Sequence, residues 1–397
     1  MHLSLALLAA CGTSPTAAPI PDDAGHGPER AAWTVLVYMA GDNSLEGYVA
    51  HDLDELEAGV AAAGTADVRV LVQADRIDGW AEDDGDWTGT RRYAIAADTI
   101  PGAVESPHED IGEVDMGDPR TLEAFLAWGM ETAPAEHVML VLWNHGYAWS
   151  MDVAPPPSIA GDDTSGTELS VANGDLVAGL DAHVGAHGPI DVLAFDACYM
   201  ASWEVAHAVR GHARTLVGSE AWVGGEGLLY VPMLRALAAG DASEQVAAGM
   251  AREAVAGGEM TFSAIDLAQL DALAGAVDAF SEIATPTRIA AWQRFGRTVE
   301  PGWASAFLDL RALGVLAAQS DTSGAAAAVV ETVDAAVISS HGDDAHAWAG
   351  GLTIFGATSP PEYVELYANG AGATWARATG WDEALGAAMD DGEAATR

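Results

Sequence analysis

Apolar and polar positions along the first half of the chain alternate in blocks rather than residue by residue. Residues 33–39 read WTVLVYM, 68–72 VRVLV, 138–143 VMLVLW and 190–195 IDVLAF. Each run is short, rich in Val and Leu, and ends on a polar or glycine-bearing turn. Near-continuous apolar runs of this length suit strands buried on both faces of a parallel sheet. The segments between them carry helical patterns. Asn43 or Ser44 is placed to cap a helix through about residue 62, and Pro119 opens another through about residue 131. A shorter strand is predicted at 91–96. Strands alternating with helices predict an α/β fold with a mostly parallel central sheet covered on both faces.

The second half is patterned differently. Residues 286–397 carry Ala-rich amphipathic helical repeats and one short strand, GLTIFG. They are expected to form a C-terminal helical subdomain packed on a core of residues 31–285. At the other end, MHLSLALLAACGTS has a short apolar stretch, small residues and then Cys11, the pattern of an export signal over residues 1–11. The run LAAC resembles a bacterial lipoprotein cleavage box, which makes Cys11 a candidate for lipidation. Residues 12–30, rich in Pro, Ala, Ser and Gly, are expected as a flexible tether. The protein is then an exported cell-envelope lipoprotein, or secreted if Cys11 carries no lipid, and meets a membrane only through that anchor.

Charge narrows the function. The chain has 397 residues and a net charge of −43, with 59 acidic residues against 16 basic ones and no lysine. Nucleic acid is therefore excluded as a partner, because phosphate binding needs basic patches. An acidic surface favours encounter with cationic peptides instead. There are two cysteines, Cys11 and Cys198. If Cys11 is lipidated, Cys198 has no disulfide partner and is a candidate reactive thiol; the alternative is a small residue that merely packs.

Functional groups in parallel sheets gather beyond the carboxyl ends of strands. His145-Gly146 directly follows the third apolar run and Cys198 the fourth. If those strands are neighbours, imidazole and thiol face one crevice and can perform acyl transfer, with the thiolate attacking a carbonyl and the histidine handling the proton. The N–H groups of Gly146 and Cys198 are then placed for an oxyanion hole. A helix starting near Tyr199 would lower the thiol pKa.

Several segments in a fixed order carry a resemblance: WTVLVYMAGDNSLE, DWTGTRRY, MGDPRTLEAFL, LWNHGYAW, DDTSG, FDACYMASWEVA, FSAIDLAQLDAL and GLTIFG. Over residues 32–356 the chain resembles the clostripain family of cysteine peptidases, relatives of caspases, gingipains and legumain. The resemblance implies a caspase-like α/β/α sandwich and an endopeptidase that cuts after basic residues, chiefly Arg, in peptides or proteins that expose them. It implies His145 and Cys198 as the catalytic dyad, Gly146 as the oxyanion glycine, and Asp196 as an acid of the specificity pocket. Glu226 and, less directly, Glu220 occupy the place of the pocket-lining loop. Two other readings stand beside this one. One is a catalytically silent envelope-associated binding protein on the same fold. The other is an active peptidase of altered preference, suggested by the departure at VGGEGLL from the family's aromatic-rich loop.

Some relatives mature by self-cleavage between the dyad residues, but residues 146–197 here contain no Arg or Lys. No cofactor is required by the sequence, although some relatives need calcium. Asp83, Asp84 and Asp86, or Asp162 and Asp163, offer oxygen ligands without the spacing of a recognised calcium loop, and read as acidic surface. His183 and His187 sit four apart, but Gly185 weakens the helix and no Glu lies between them, so a metal site is not expected there. His207 and His212 are expected at the surface.

Overall fold

The computed structural model describes residues 30–149, 158–357 and 361–396. The expected signal, Cys11 and nearly all of the tether lie outside the described residues. Eleven strands are formed among the described residues: β1 Ala31–Gly41, β2 Val68–Arg76, β3 Gly89–Ala94, β4 His108–Gly112, β5 Ala135–Trp143, β6 Ile190–Asp196, β7 Ala213–Gly218, β8 Thr261–Asp266, β9 Phe307–Asp309, β10 Val337–Gly342 and β11 Thr353–Phe355. Nine of them make one sheet in the order β10-β8-β7-β6-β5-β1-β2-β3-β4. The central five strands, β7 to β2, run parallel, and two antiparallel strands flank them on each side.

The four apolar runs became β1, β2, β5 and β6, the interior of this sheet. Helices α1 Glu46–Ala63, α2 Pro119–Thr132, α3 Asp175–His187, α4 Trp203–Val209 and α5 Tyr230–Ala239 supply much of the covering layers. Helices α1 and α5 pack on each other, as do α2 and α3. The period of two along β1 sends Tyr38 toward α2, where its ring meets Phe125 at 5.6 Å between centroids. The sandwich is therefore α/β/α, as the resemblance implied.

Strand β2 runs four residues past its apolar stretch, through Gln73, Ala74, Asp75 and Arg76, all buried. Its polar end is satisfied in part, and burial pushes the Asp75 carboxyl up to about 8. Arg76 forms a buried ion pair with Glu46, and Asp75 accepts a hydrogen bond from Thr90 at 2.8 Å. The unpredicted β4 is a half-exposed edge strand with little apolar content, HEDIG, which leaves no hydrophobic signal to read.

The expected boundary at 285/286 is crossed. Strand β10 pairs with β8 and completes the edge of the main sheet, while β11 pairs with β9 and bridges from Thr353 to Ser202 beside α4. An uncovered β8 would leave a row of unpaired backbone groups, and β10 satisfies them. Aromatic contacts add to the join, with Trp149 of the core against Phe355, Tyr367 and Trp375. Residues beyond 286 thus serve partly as core and not as a separate packing unit.

The histidines also fall differently from expectation. His207 is buried beside Trp203, with Nδ1 2.8 Å from the Thr374 hydroxyl. The C-terminal segment that reaches over α4 removes it from the surface. His212 is half-buried and pairs with Asp181 at 2.8 Å. His183 and His187 stack at 5.1 Å. Burial and its neighbour push His183 down to about 4, which keeps that ring neutral, and neither histidine joins a cluster of metal-ligating side chains among the described residues. No helix among the described residues is long and apolar enough to cross a membrane.

Candidate active site

Strands β5 and β6 are parallel neighbours, with Trp143 opposite Asp196. His145 and Cys198 each lie two residues further on, so the register delivers both to one end of the sheet. The amide of Asn144 donates to the Asp196 carbonyl at 3.2 Å, extending the pairing by one residue. Gly146 then bridges to Ile159. A Cβ at Gly146 would fall 2.2 Å from the Cys198 carbonyl oxygen and 2.8 Å from its nitrogen. Only glycine lets the two strand ends close this far.

Cys198 is 7% exposed, and its sulfur receives backbone N–H groups from Val223, at 3.2 Å, and from Gly146. Tyr199 follows in the left-handed region at φ 61°. Such a conformation costs a β-carbon-bearing residue roughly 1–3 kcal/mol and persists only where surrounding contacts impose it. Here they do: Tyr199 N–H donates to Ala221, Ala201 N–H donates to Ser219, and the phenol donates to Glu300. This turn corrects the expectation of a helix at Tyr199. The helix begins at Trp203, capped by Ser202, four residues too late to act on the sulfur. Burial accordingly pushes the Cys198 thiol up to about 11, against the opposing N–H groups of Val223 and Gly146.

The His145 ring is half-buried, which lowers its pKa below the usual imidazole value, while Asp163 works the other way. Its Nε2 lies 2.8 Å from the Ser44 hydroxyl. Among the described residues His145 makes no ion pair, so Ser44 is the side chain that orients it. Ser44 had been a candidate cap for α1. Instead Asn43 takes the turn, accepting from Leu45 N–H and donating to Ala40 and Gly161, and leaves Ser44 for the imidazole.

One cleft is lined by His145, Cys198, Trp143, Asp196, Asp52 and Tyr48, with residues 222–225 and Gly227 as its far wall. Two carboxyls lie buried in it. Asp196 accepts from Leu228 N–H at 3.0 Å and from the Tyr230 hydroxyl at 2.8 Å. Asp52, from α1, accepts from the Trp143 indole at 2.6 Å. Desolvation raises both pKa values; Asp196 reaches about 7, and Asp52 is raised further by the neighbouring Asp196 charge. Neither carboxyl makes an ion pair among the described residues. A Cβ at Gly227, where φ is 50°, would fall 2.2 Å from an Asp196 oxygen, so the far wall closes onto this acid only through glycine.

The other two acids expected in the pocket lie elsewhere. Glu226 points outward with a side chain 74% exposed, 4.0 Å from His51. Glu220 is fully buried behind the wall, bonded to Gly351 N–H and the Asp309 carboxyl. Asp52 was missed, yet it carried a signal. It falls on the Val49–Leu53–Leu56 face of α1, where a charge is costly to bury without a purpose.

The wall is tied down by carboxylates. Trp222 N–H donates to Glu300 at 3.2 Å, Gly224 N–H to Glu259 at 2.8 Å, and Leu228 N–H to Asp196. The arrangement combines a shielded thiol, an imidazole whose pKa is lowered by burial, two backbone donors and a floor of two buried carboxyls whose pKa values burial raises.

Comparison with known proteins agrees with the fold. The family model of Peptidase C11, the clostripain family, matches residues 37–385. Clostripain of Hathewaya histolytica is 29% identical over 225 residues, which cover 52% of this chain and 42% of clostripain; the match thus spans less than half of that relative's length. A secreted C11 cysteine protease from Bacteroides thetaiotaomicron, solved with an irreversible peptide inhibitor, superposes with a TM-score of 0.66 at 21% identity, covering 87% of this chain and 99% of that one. An inactive zymogen C11 protease from Parabacteroides distasonis gives 0.67 at 22%, covering 88% and 99%. At these identities the two structures speak for the fold.

Proposed function

The chain belongs to the clostripain family, and from that premise we propose that it is a cysteine endopeptidase that cuts peptide bonds after basic residues, chiefly Arg. The observation that carries the proposal is the cleft itself: Cys198 and His145 share it with two buried carboxyls that make no ion pair among the described residues. A guanidinium laid against Asp52 and Asp196 gives them the cation their burial calls for, in charge-assisted hydrogen bonds that neutral side chains cannot match.

With Arg so placed, its carbonyl carbon comes to Sγ and its oxygen to the N–H groups of Gly146 and Cys198. His145 accepts the thiol proton as sulfur attacks and returns it to the leaving amine. Water then hydrolyses the thioester, giving up its proton through the same imidazole. In the resting protein both partners are neutral, because burial raises the thiol and lowers the imidazole. Proton transfer therefore accompanies attack. It also requires the N–H groups of Val223 and Gly146 to leave the sulfur, the first displaced by the peptide and the second turned to the carbonyl oxygen. Export fits the apolar leader ending at Cys11, and one similar structure is that of a secreted protease; we include it in the proposal.

The test is a panel of fluorogenic Arg-, Lys- and Asp-ended amides assayed beside Cys198→Ala. Thiol-dependent turnover of the Arg amide is expected. Turnover of non-basic amides alone would remove the pocket assignment and keep the dyad, and no turnover on any amide would favour the silent binding protein.

The raised pKa of Asp196 predicts a pH dependence whose sign is fixed. As pH falls through about 7 this carboxyl takes a proton and loses the charge that selects Arg. Because kcat/KM reports the free enzyme, the ratio of kcat/KM for an Arg amide over its uncharged citrulline isostere should fall by up to about tenfold per pH unit below that point. Protonation of His145 affects both substrates and cancels from the ratio. A ratio that stays flat between pH 5.5 and 8 would contradict the role of Asp196.

A further expectation concerns maturation. With no Arg or Lys in residues 146–197, the active protein incubated alone should remain uncut between the dyad residues. Mass spectrometry of the incubated chain checks this, and a cleavage inside that segment would contradict basic specificity.

A further inference from the structure

Two carboxyls meet behind the wall of the cleft. Glu220 lies two residues beyond β7, and Asp309 closes β9. They are 1% and 0% exposed, and their side chains are hydrogen-bonded to each other. Two carboxylates in contact would repel, so one of the pair must carry a proton. The donors around them say which. Asp309 accepts N–H groups on both oxygens, from Ala312 on Oδ1 and Gly350 on Oδ2, and the Arg311 guanidinium stands beside it. Glu220 accepts Gly351 N–H on Oε1, while its Oε2 is buried with no donor. Backbone donors and a cation favour the charge on Asp309. The proton therefore belongs on Glu220 Oε2, which donates it to Asp309. Burial, and then the Asp309 charge, raise the Glu220 carboxyl well above its usual value.

Two glycines build the partner side. Gly350 and Gly351 aim successive N–H groups at the two carboxyls. A Cβ at Gly350 would fall 2.5 Å from the Arg311 Cβ, and Gly351 stands at φ 100°, so only glycine fits this approach. The surroundings are otherwise uncharged or neutralised. Strand β8 contributes the Thr261 hydroxyl, which accepts from Glu220 N–H at 3.1 Å, and the Ser263 hydroxyl, which donates to the Gly351 carbonyl at 2.7 Å. Strand β10 places Val337 against Gly351, and Arg311 pairs with Asp334.

The place of Glu220 in the chain gives this contact its consequence. Its two neighbours hold the turn that follows Cys198: Tyr199 N–H donates to the Ala221 carbonyl and Ala201 N–H to the Ser219 carbonyl, both at 2.9 Å. The next residues, Trp222 and Val223, form the wall of the cleft, with Val223 over the sulfur. Asp309 and the two glycines belong to the C-terminal segment, which meets the same turn where Thr353 N–H donates to the Ala201 carbonyl at 3.0 Å.

We propose that Glu220 is a positioning residue for Cys198: in its protonated form it clasps Asp309 and fastens the Cys198 turn, with the wall above it, to the C-terminal segment. Loss of that proton to solvent leaves two carboxylates in contact and opens the clasp. The inference rests on the proposed function only in giving Cys198 the role of nucleophile.

The experiment compares the full chain with Glu220→Gln and Glu220→Ala. Gln keeps the clasp at every pH, because its amide N–H donates to Asp309 where the carboxyl O–H did, and its oxygen still accepts from Gly351. In the unfolded chain Glu220 ionises above about pH 4.3, whereas the folded parent has to retain its proton. Stability of the parent is thus lost relative to the Gln variant as pH rises, until the folded pair itself ionises. Between about pH 5 and 8 the parent's unfolding midpoint should fall behind that of Glu220→Gln by roughly 2 °C per pH unit. Other titrating groups are common to both proteins and cancel. A gap that stays flat or narrows over this range overturns the shared proton, as does a Gln variant that fails to fold. Position of the turn is read by the rate at which iodoacetamide alkylates Cys198, followed by mass spectrometry. Glu220→Ala should react about fivefold faster than the parent or more, and Glu220→Gln within about twofold of it. Parent-like labelling of Glu220→Ala overturns the positioning role. If the Ala variant does not fold, Asp309→Asn replaces it in the labelling, and the midpoints of the Gln variant and parent still decide the clasp. Neither readout uses turnover, so a chain that cuts no Arg amide would fail the proposed function without touching this inference.

Discussion

Cys198→Ala should lower kcat/KM on Arg amides by about 10⁴-fold or more while the protein remains folded. Removing a nucleophile abolishes the covalent route, and what survives is the contribution of binding and backbone donors to reaction with water. His145→Ala should cost nearly as much alone, and the double variant little more, because thiol and imidazole act as one unit. Stability should change far less. The thiol is small, and its loss leaves chiefly the Val223 N–H without an acceptor, a cost on the order of 1–3 kcal/mol. Initial rates and calorimetry on the same preparation separate the two effects. Turnover by Cys198→Ala within tenfold of the parent would remove Cys198 from the chemistry.

The second large effect is expected at Asp52→Asn. Asn is nearly isosteric and its amide oxygen can still accept from the Trp143 indole at 2.6 Å, so the variant removes charge with little change in shape. Losing one partner of a buried, hydrogen-bonded charge pair costs about 2–5 kcal/mol, or roughly 30- to 5000-fold in kcat/KM for Arg. The citrulline isostere should change several-fold at most, which makes the ratio of the two the decisive measurement. Asp196→Asn should lower the same ratio but is harder to interpret. Its carboxyl also holds Leu228 N–H and the Tyr230 hydroxyl, so the wall of the cleft responds too. An unchanged Arg preference in Asp52→Asn would mean that Asp52 packs beside the pocket without reading the substrate.

The parts of the molecule written in hydrophobic pattern were readable from the sequence. Strands β1, β2, β5 and β6 announced themselves because burial on both faces demands continuous apolar residues. The placement of His145 and Cys198 in one cleft followed from where the two residues stand relative to those runs. Features made by polar residues meeting across the fold were not readable. Asp52 carried only the signal of an acid on the apolar face of a helix, and the fold alone brings it beside Asp196 from 144 positions away in sequence. Glu226 looked like a pocket acid because it lies in the right loop, yet the turn at Gly227 sends it outward. The edge strands β4 and β10 were missed because half-exposed edges carry mixed residues. The turn at Tyr199 displaced the expected helix because backbone bonds to Ala221 and Ser219 outcompete it, and no local pattern encodes those partners.

The seat of Val223 over the sulfur has a consequence outside peptide hydrolysis. A thiol that is buried, protonated and hydrogen-bonded to its own wall is a poor target for oxidants and alkylating agents, which react with exposed thiolate. In the resting protein Cys198 meets both conditions for inertness, 7% exposure and a pKa raised to about 11. Under the proposed function, the group that unmasks it is the peptide to be cut. Reactivity is thus stored in a form that peroxide or a small electrophile reaches slowly. The chain protects an unpaired cysteine by geometry where many proteins would use a disulfide.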